Sequence, residues 1–112
     1  MNDADASAIL ARGVDLFNRG AYWEAHEAWE ELWLDAGPEL RRFVQGLIQL
    51  AAAWHHVRRG NRRGADRLFR SGLEKLSAYP TRYAGIDVSD AVACARSAAD
   101  AKASDVPRLS LV

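Results

Sequence analysis

The chain has 112 residues and no formal net charge, because 15 lysines and arginines balance 15 aspartates and glutamates. It therefore lacks the overall field that draws a protein to nucleic acid or to an anionic membrane. No apolar run approaches the roughly 20 residues that a membrane-spanning helix needs, and we expect no secretory signal. The single cysteine, Cys94, excludes an internal disulfide. We predict one cytoplasmic, all-helical domain over residues 1–112.

Apolar residues recur with helical spacing along the whole chain, and glycine or proline interrupts them where helices should end. Helix one is predicted to begin near Ser7 or earlier and to end at Gly20. Helix two follows over about 21–35. Pro38 suits the first turn of a helix, where its missing N–H costs nothing. It therefore opens a long helix three over about 38–59, which is apolar nearly all round and is expected to lie at the centre.

The second half of the chain predicts two more helices. A turn at Gly60 and Asn61 leads into helix four, which ends at 79–81, and Gly72 is expected to permit close helix contact. Helix five runs from a cap at Asp87 or Ser89 to about Ala101. A short tail from about residue 105 is expected to be extended. The fold class is all-α, a compact bundle of about five helices built from stacked antiparallel hairpins.

A weak internal echo at an offset of 40 residues supports the stacking of hairpins. It pairs residues that begin or face into successive helices: Gly20 with Gly60, Ala25 with Ala65, Trp29 with Phe69, and Trp33 with Leu73. Hairpin repeats of this kind bind peptides in a groove, but two units are too few for a repeat array. We interpret the echo as a shared packing rule.

The most unusual segment is Ala25–Trp33, which reads A-H-E-A-W-E-E-L-W. His26 and Glu30 are four residues apart and project from the same face of a helix, at the edge of its core-facing sector. Glu27 points about 100° away. The other glutamates of this helix turn toward solvent.

Helix three carries a matching polar stripe. Gln45, Gln49 and His56 fall at i, i+4 and i+11 on an otherwise apolar cylinder, while His55 falls outside the stripe. A buried polar group without a partner costs about 1–3 kcal/mol, so two such stripes should pair. We predict that His26 and Glu30 face Gln49, with His56 nearby.

Three interpretations of this site stay open. The first is a polar network that fixes the pairing of two helices. The second is a divalent metal ion, such as zinc or manganese, bound by His26, Glu30 and His56. In that case Glu27 is the candidate general base toward a metal-bound water, by analogy with zincins, although Glu30 replaces the second zincin histidine. The third is a metal-free pocket that binds a small polar ligand through residues such as Gln45 and Gln49.

A non-enzymatic role is the alternative to a hydrolase. The helical hairpins and four tryptophans suit a binding or assembly module, and we expect a homodimer. Four arginines at the end of helix three and along helix four share one face, namely Arg59, Arg63, Arg67 and Arg70. We interpret this face as solvated rather than as a site for nucleic acid. We expect neither nucleic acid nor a membrane as a partner.

Four ordered segments resemble the domain of unknown function 309 family, whose members are small all-helical prokaryotic proteins. They are Phe17–Trp33, Gln45–Ala53, His56–Asn61 and Tyr83–Val88. The resemblance covers roughly Leu10 to Ala101 and implies an all-α bundle and a label of metal-dependent hydrolase. The family pattern falls on Glu24, His26, Glu27, Glu30, Trp33, Gln45, Gly46, Gln49, His56, Gly60 and Asn61. Trp29 stands where the family more often has an aliphatic residue.

Overall fold

Five α-helices follow one another through the described residues, 2–97 and 107–112, of the computed structural model. They are α1 (Asp3–Asn18), α2 (Tyr22–Asp35), α3 (Pro38–Arg58), α4 (Arg62–Leu76) and α5 (Val88–Arg96), with a hairpin of β1 (Arg82–Tyr83) and β2 (Ile86–Asp87) before α5. The predicted all-α fold is confirmed. The predicted end of helix five at Ala101 lies outside the described residues. No helix in these ranges is both long and apolar enough to cross a lipid bilayer.

The same device ends α1 and α3. Gly20 and Gly60 adopt positive φ values of 81° and 76°, which only glycine takes at little cost. The following amide then bonds back to the helix, from Ala21 N to Leu16 O and from Asn61 N to His56 O, each at 2.9 Å. Each helix therefore stops abruptly and the chain reverses into the next one.

The helices stack in chain order around α3. Helix α3 packs against α2 on one side and α4 on the other, α1 covers α2, and α5 covers α4. The echo has a structural counterpart, since Ala25 and Ala65 are fully buried and Trp29 and Phe69 occupy the core. Its interpretation as a packing rule fits this arrangement.

Two glycines bring α3 and α4 close together. A Cβ added to Gly72 would lie 3.1 Å from the carbonyl oxygen of Gly46, and one added to Gly46 would lie 3.0 Å from Leu76. The predicted close contact at Gly72 is therefore present. It sets the C-terminal half of α4 against the polar stripe of α3.

The hairpin before α5 was not predicted. Its turn places Ala84 and Gly85 at φ values of 51° and 80°, the pattern of a two-residue hairpin turn. The extended tail adds to this hairpin, because Leu111 bridges Ile86 and Ser110 accepts a bond from the amide of Asp87 at 2.8 Å. The tail is therefore part of the packed structure.

Cys94 is buried between α5 and the core, where the indole N–H of Trp54 donates to its Sγ at 3.3 Å. Burial raises the pKa of this thiol from an ordinary value of 9.0 to about 11. The thiol ionises more readily in the unfolded chain, so its contribution to stability is complete below pH 9 and is lost as the pH rises toward 11. We expect the free energy of unfolding to fall by about 2–3 kcal/mol across that window.

Urea denaturation at pH 8 to 11, compared with Cys94→Ala, checks this expectation. The tyrosines titrate in both proteins, whereas the thiol titrates only in the natural chain. An identical pH dependence in the two proteins would contradict it.

Candidate functional site

His26 and Glu30 lie together on α2, as the spacing predicted, but they contact each other only loosely. His26 Nδ1 is 3.9 Å from Glu30 Oε2, and their side chains are 16% and 54% exposed. The imidazole stacks on Trp23, with ring centroids 4.7 Å apart and planes inclined by 16°. Nδ1 is buried and makes no hydrogen bond to any described residue.

The two histidines of α3 have different surroundings. His55 packs on Trp23, with ring centroids 5.2 Å apart. Burial, followed by the charge of Arg59, lowers the pKa of His55. His56 instead accepts a hydrogen bond at Nδ1 from the side-chain amide of Asn61, 3.2 Å away. The histidine that joins His26 through Trp23 is therefore His55, which the helical wheel had placed outside the polar stripe.

The remaining members of the predicted metal site are dispersed. Glu27 is solvent exposed. Within residues 2–97 and 107–112, no three histidine, cysteine, aspartate or glutamate side chains are grouped so that they could hold a metal ion together. The structure thus brings His26 and Glu30 together without bringing His56 to them.

Gln49 faces α4, whereas the sequence predicted that it would face His26 and Glu30. Its Oε1 accepts a hydrogen bond from Lys75 Nζ at 3.0 Å, and the same ammonium donates to Ser71 Oγ at 2.9 Å. Both acceptors are neutral, so they orient the ammonium without compensating its charge. Gln49 therefore positions a cation at the junction of α3 and α4.

Lys75 borders a cleft of about 590 Å³ where the end of α2, the beginning of α3 and α4 meet. The other lining residues are Trp33, Ala36, Pro38, Arg41, Arg42 and Gln45. Three of the seven carry positive charge, and none is acidic. Among the described residues, none of these three cations forms an ion pair with a carboxylate.

Arg41 is fixed on one side of this cleft. Its Nε donates to the carbonyl oxygen of Trp33 at 3.1 Å, and its Nη2 donates to that of Leu34 at 3.3 Å. These are carbonyls of the last turn of α2, which need partners from outside the helix. The guanidinium also lies over the Trp33 ring, 4.6 Å from its centroid. Arg41 therefore joins α2 to α3 and presents a charged, planar group to the cleft.

The model of one protein family, Domain of unknown function (DUF309), matches residues 10–68, which is more than half of the chain. The chain belongs to the DUF309 family. The matched segment extends from α1 into α4. It contains the whole polar stripe and six of the seven residues that line the cleft, all except Lys75.

Two curated relatives resemble this DUF309 chain over part of their length. The Uncharacterized protein YpuF of Bacillus subtilis (strain 168) is 45% identical over 58 residues, 51% of this chain and 33% of YpuF. An Uncharacterized protein of Aquifex aeolicus (strain VF5) is 29% identical over 83 residues, 73% of this chain and 25% of that protein. The chain thus spans a third or less of the length of these relatives.

One of the two glutamines that the sequence predicted to bind a ligand, Gln45, lines this cleft, whereas its cationic residues were not predicted. Gln45 was predicted from its helical stripe, and Arg41 lies one turn earlier on the same stripe. That spacing was an available signal for a basic extension of the site. Lys75 carried no such signal, because it reaches the stripe only through the contact between Gly46 and Gly72.

Proposed function

We propose that this DUF309 domain is a binding module for small anionic ligands, which it takes into the cleft between α2, α3 and α4. The proposal rests on the charges that line this cleft. Arg41, Arg42 and Lys75 line a single cleft, and among the described residues none has a carboxylate partner. A cluster of positive side chains without acidic partners attracts an anionic ligand from solution.

The three cations have complementary properties. Arginine offers planar N–H groups that match a carboxylate or phosphate, and lysine offers a compact point charge. Lys75 is partly buried and is held by Gln49 and Ser71, so little side-chain freedom is lost when it contacts a ligand. Like charges that repel one another in the empty cleft attract an anion together. At 4 Å each such contact is worth about 1 kcal/mol in water and about 4 kcal/mol near a protein surface.

The proposal assigns different roles to the two glutamines predicted to bind a ligand. Gln45 lines the cleft and can donate or accept through its carboxamide. Gln49 acts through Lys75, whose ammonium it orients. Gln45 and Gln49 are then parts of a metal-free ligand site that extends onto α4, while His56 lies outside it.

Titration calorimetry with inorganic phosphate at low ionic strength tests this function. We expect saturable binding that Lys75→Met weakens at least about tenfold, because a charge-assisted hydrogen bond contributes about 1.5–3 kcal/mol. Arg63→Met is the matched control, since it removes one exposed charge from the same helix outside the cleft. Absence of saturable binding, or an equal loss in both variants, would refute the proposal.

A metal-dependent hydrolase is a second candidate, which one observation favours. His26 Nδ1 is buried, has no hydrogen-bond partner among the described residues, and lies 3.9 Å from Glu30 Oε2. This pair offers two ligands, whereas a catalytic zinc ion takes three from the protein. His56, the third ligand of the sequence hypothesis, would have to leave Asn61 and approach His26. The donors present therefore fit such an ion only in part.

Elemental analysis of the tag-free protein after loading with zinc or manganese tests this second function. If His26 and Glu30 bind a metal ion, one equivalent should stay bound after dialysis, and His26→Phe should lose it. A protein that stays metal-free after loading would exclude the site. Thermal denaturation of His26→Phe separates loss of a ligand from loss of the fold.

A further inference from the structure

The two sides of the anion cleft differ in chemistry. On one side, the guanidinium of Arg41 is held over the indole of Trp33 by two hydrogen bonds to the end of α2. A guanidinium fixed in this way is a flat, preorganised surface on which an aromatic ring can stack. Ala36 and Pro38 add apolar atoms to the lining of the cleft.

The other side is polar and cationic. Arg42 projects from α3 and Lys75 approaches from α4, while Gln45 lies one turn after Arg41 on α3. Because Arg41 already uses two N–H groups on backbone carbonyls, Arg42 and Lys75 are the cations best able to hold an anion directly. The anion and a flat group can therefore be bound by different residues of the same cleft.

The volume of the cleft suits a ligand larger than an inorganic anion. Its approximately 590 Å³ falls within the range of pockets that bind small organic molecules, about 300–1,000 Å³. A bare phosphate would contact the cationic side and leave the Arg41–Trp33 surface uncovered. A ligand that carries both an anion and a ring would cover both sides.

Building on the proposed function, we propose that the ligand is a phosphate monoester bearing a flat aromatic ring, the chemical class of a nucleoside monophosphate. Its ring stacks on the Arg41–Trp33 surface, and its phosphate binds Arg42 and Lys75. The carboxamide of Gln45, which can both donate and accept, suits the edge of a heterocycle.

Calorimetry with adenosine monophosphate, glycerol 3-phosphate and inorganic phosphate tests this inference. Adenosine monophosphate should bind at least about tenfold more tightly than glycerol 3-phosphate, since only the former has a ring to stack. Arg41→Lys keeps the charge and removes the plane. It should bring the affinities of the two esters to within about threefold of each other. Arg63→Lys, an exposed site on α4, is the matched control and should change neither value.

The three probes distinguish binding of the aromatic ring from binding of the anion, on which the ring site depends. If all three probes bind equally well, the ring site is refuted and the anion site stands. If none binds, both are refuted. A ring preference that survives Arg41→Lys and also Trp33→Leu would place the ring elsewhere and overturn the inference. Quenching of the tryptophan fluorescence of the natural chain by adenosine monophosphate is expected, and it does not depend on whether either variant folds.

Discussion

A Gly13→Ala variant is expected to lose at least about 2 kcal/mol of stability, although alanine normally favours a helix by about 1 kcal/mol over glycine. The reason is the indole of Trp29, which lies directly over Gly13. A Cβ added there would stand 1.9 Å from Trp29 Nε1 and 2.3 Å from Cε2. The indole cannot move away easily, because Trp29 is fully buried and its N–H donates to the carbonyl oxygen of Leu10 at 3.2 Å.

Urea denaturation of paired variants tests whether this clash is the cause. Gly37→Ala is the control, since a Cβ there meets nothing within 4 Å, and it should stay within about 1 kcal/mol of the natural chain. Trp29→Leu alone should cost about 2–4 kcal/mol through the cavity it leaves. In the Gly13→Ala background it should cost much less, because it also removes the clash. Additive losses would show that Gly13 and Trp29 are not coupled.

Asn18→Ala is expected to lower the free energy of unfolding by about 2–4 kcal/mol, because it removes both hydrogen bonds that fasten the tail to α1. The Asn18 side chain makes a reciprocal pair of bonds with one residue. Its Nδ2 donates to Leu109 O at 2.9 Å, and its Oδ1 accepts from Leu109 N at 2.8 Å. Leu109 is only 1% exposed, so both of its backbone groups would be left without partners in a dry environment.

The same substitution in a chain shortened to residues 1–106 isolates this contact. Without the tail, Asn18→Ala should cost no more than about 0.5 kcal/mol, as expected of a surface change. Hydrogen exchange should also accelerate at Leu109 and Leu111 in the full-length variant. Equal costs in the long and short chains would mean that Asn18 does not hold the tail.

The helices were predictable because their signals are local. Gly20, Gly60 and Pro38 mark helix ends through their own backbone preferences, and the apolar spacing gives the buried face of each helix. The hairpin at Arg82–Asp87 was missed because Ala84 and Gly85 are a weaker turn signal than an Asn-Gly pair. The tail, which pairs with β2, is distant from the hairpin in sequence, so no local sequence pattern indicates this pairing.

For the candidate site, the sequence predicted which residues share a face of one helix, but not which helices contact each other there. The wheel placed His26 beside Glu30 and gave the stripe of Gln45 and Gln49. It did not show which helix each polar face contacts, because that contact depends on how the helices pack in the folded protein. Gln49 faces α4 since two glycines admit α4 so closely, and His55 reaches Trp23 across the α2 and α3 interface. Distances between helices arise from tertiary packing, and sequence periodicity does not contain them.

If anions bind in the cleft between α2, α3 and α4, a phosphate titration followed by two-dimensional amide NMR should detect them at the residues that line it. We expect saturable shifts at Arg41, Arg42, Gln45 and Lys75. Of the tryptophan indole signals, that of Trp33 should move, while those of the buried Trp29 and Trp54 should stay in place. Shifts confined to the arginines of α4 outside the cleft, or shifts that never saturate, would contradict the claim.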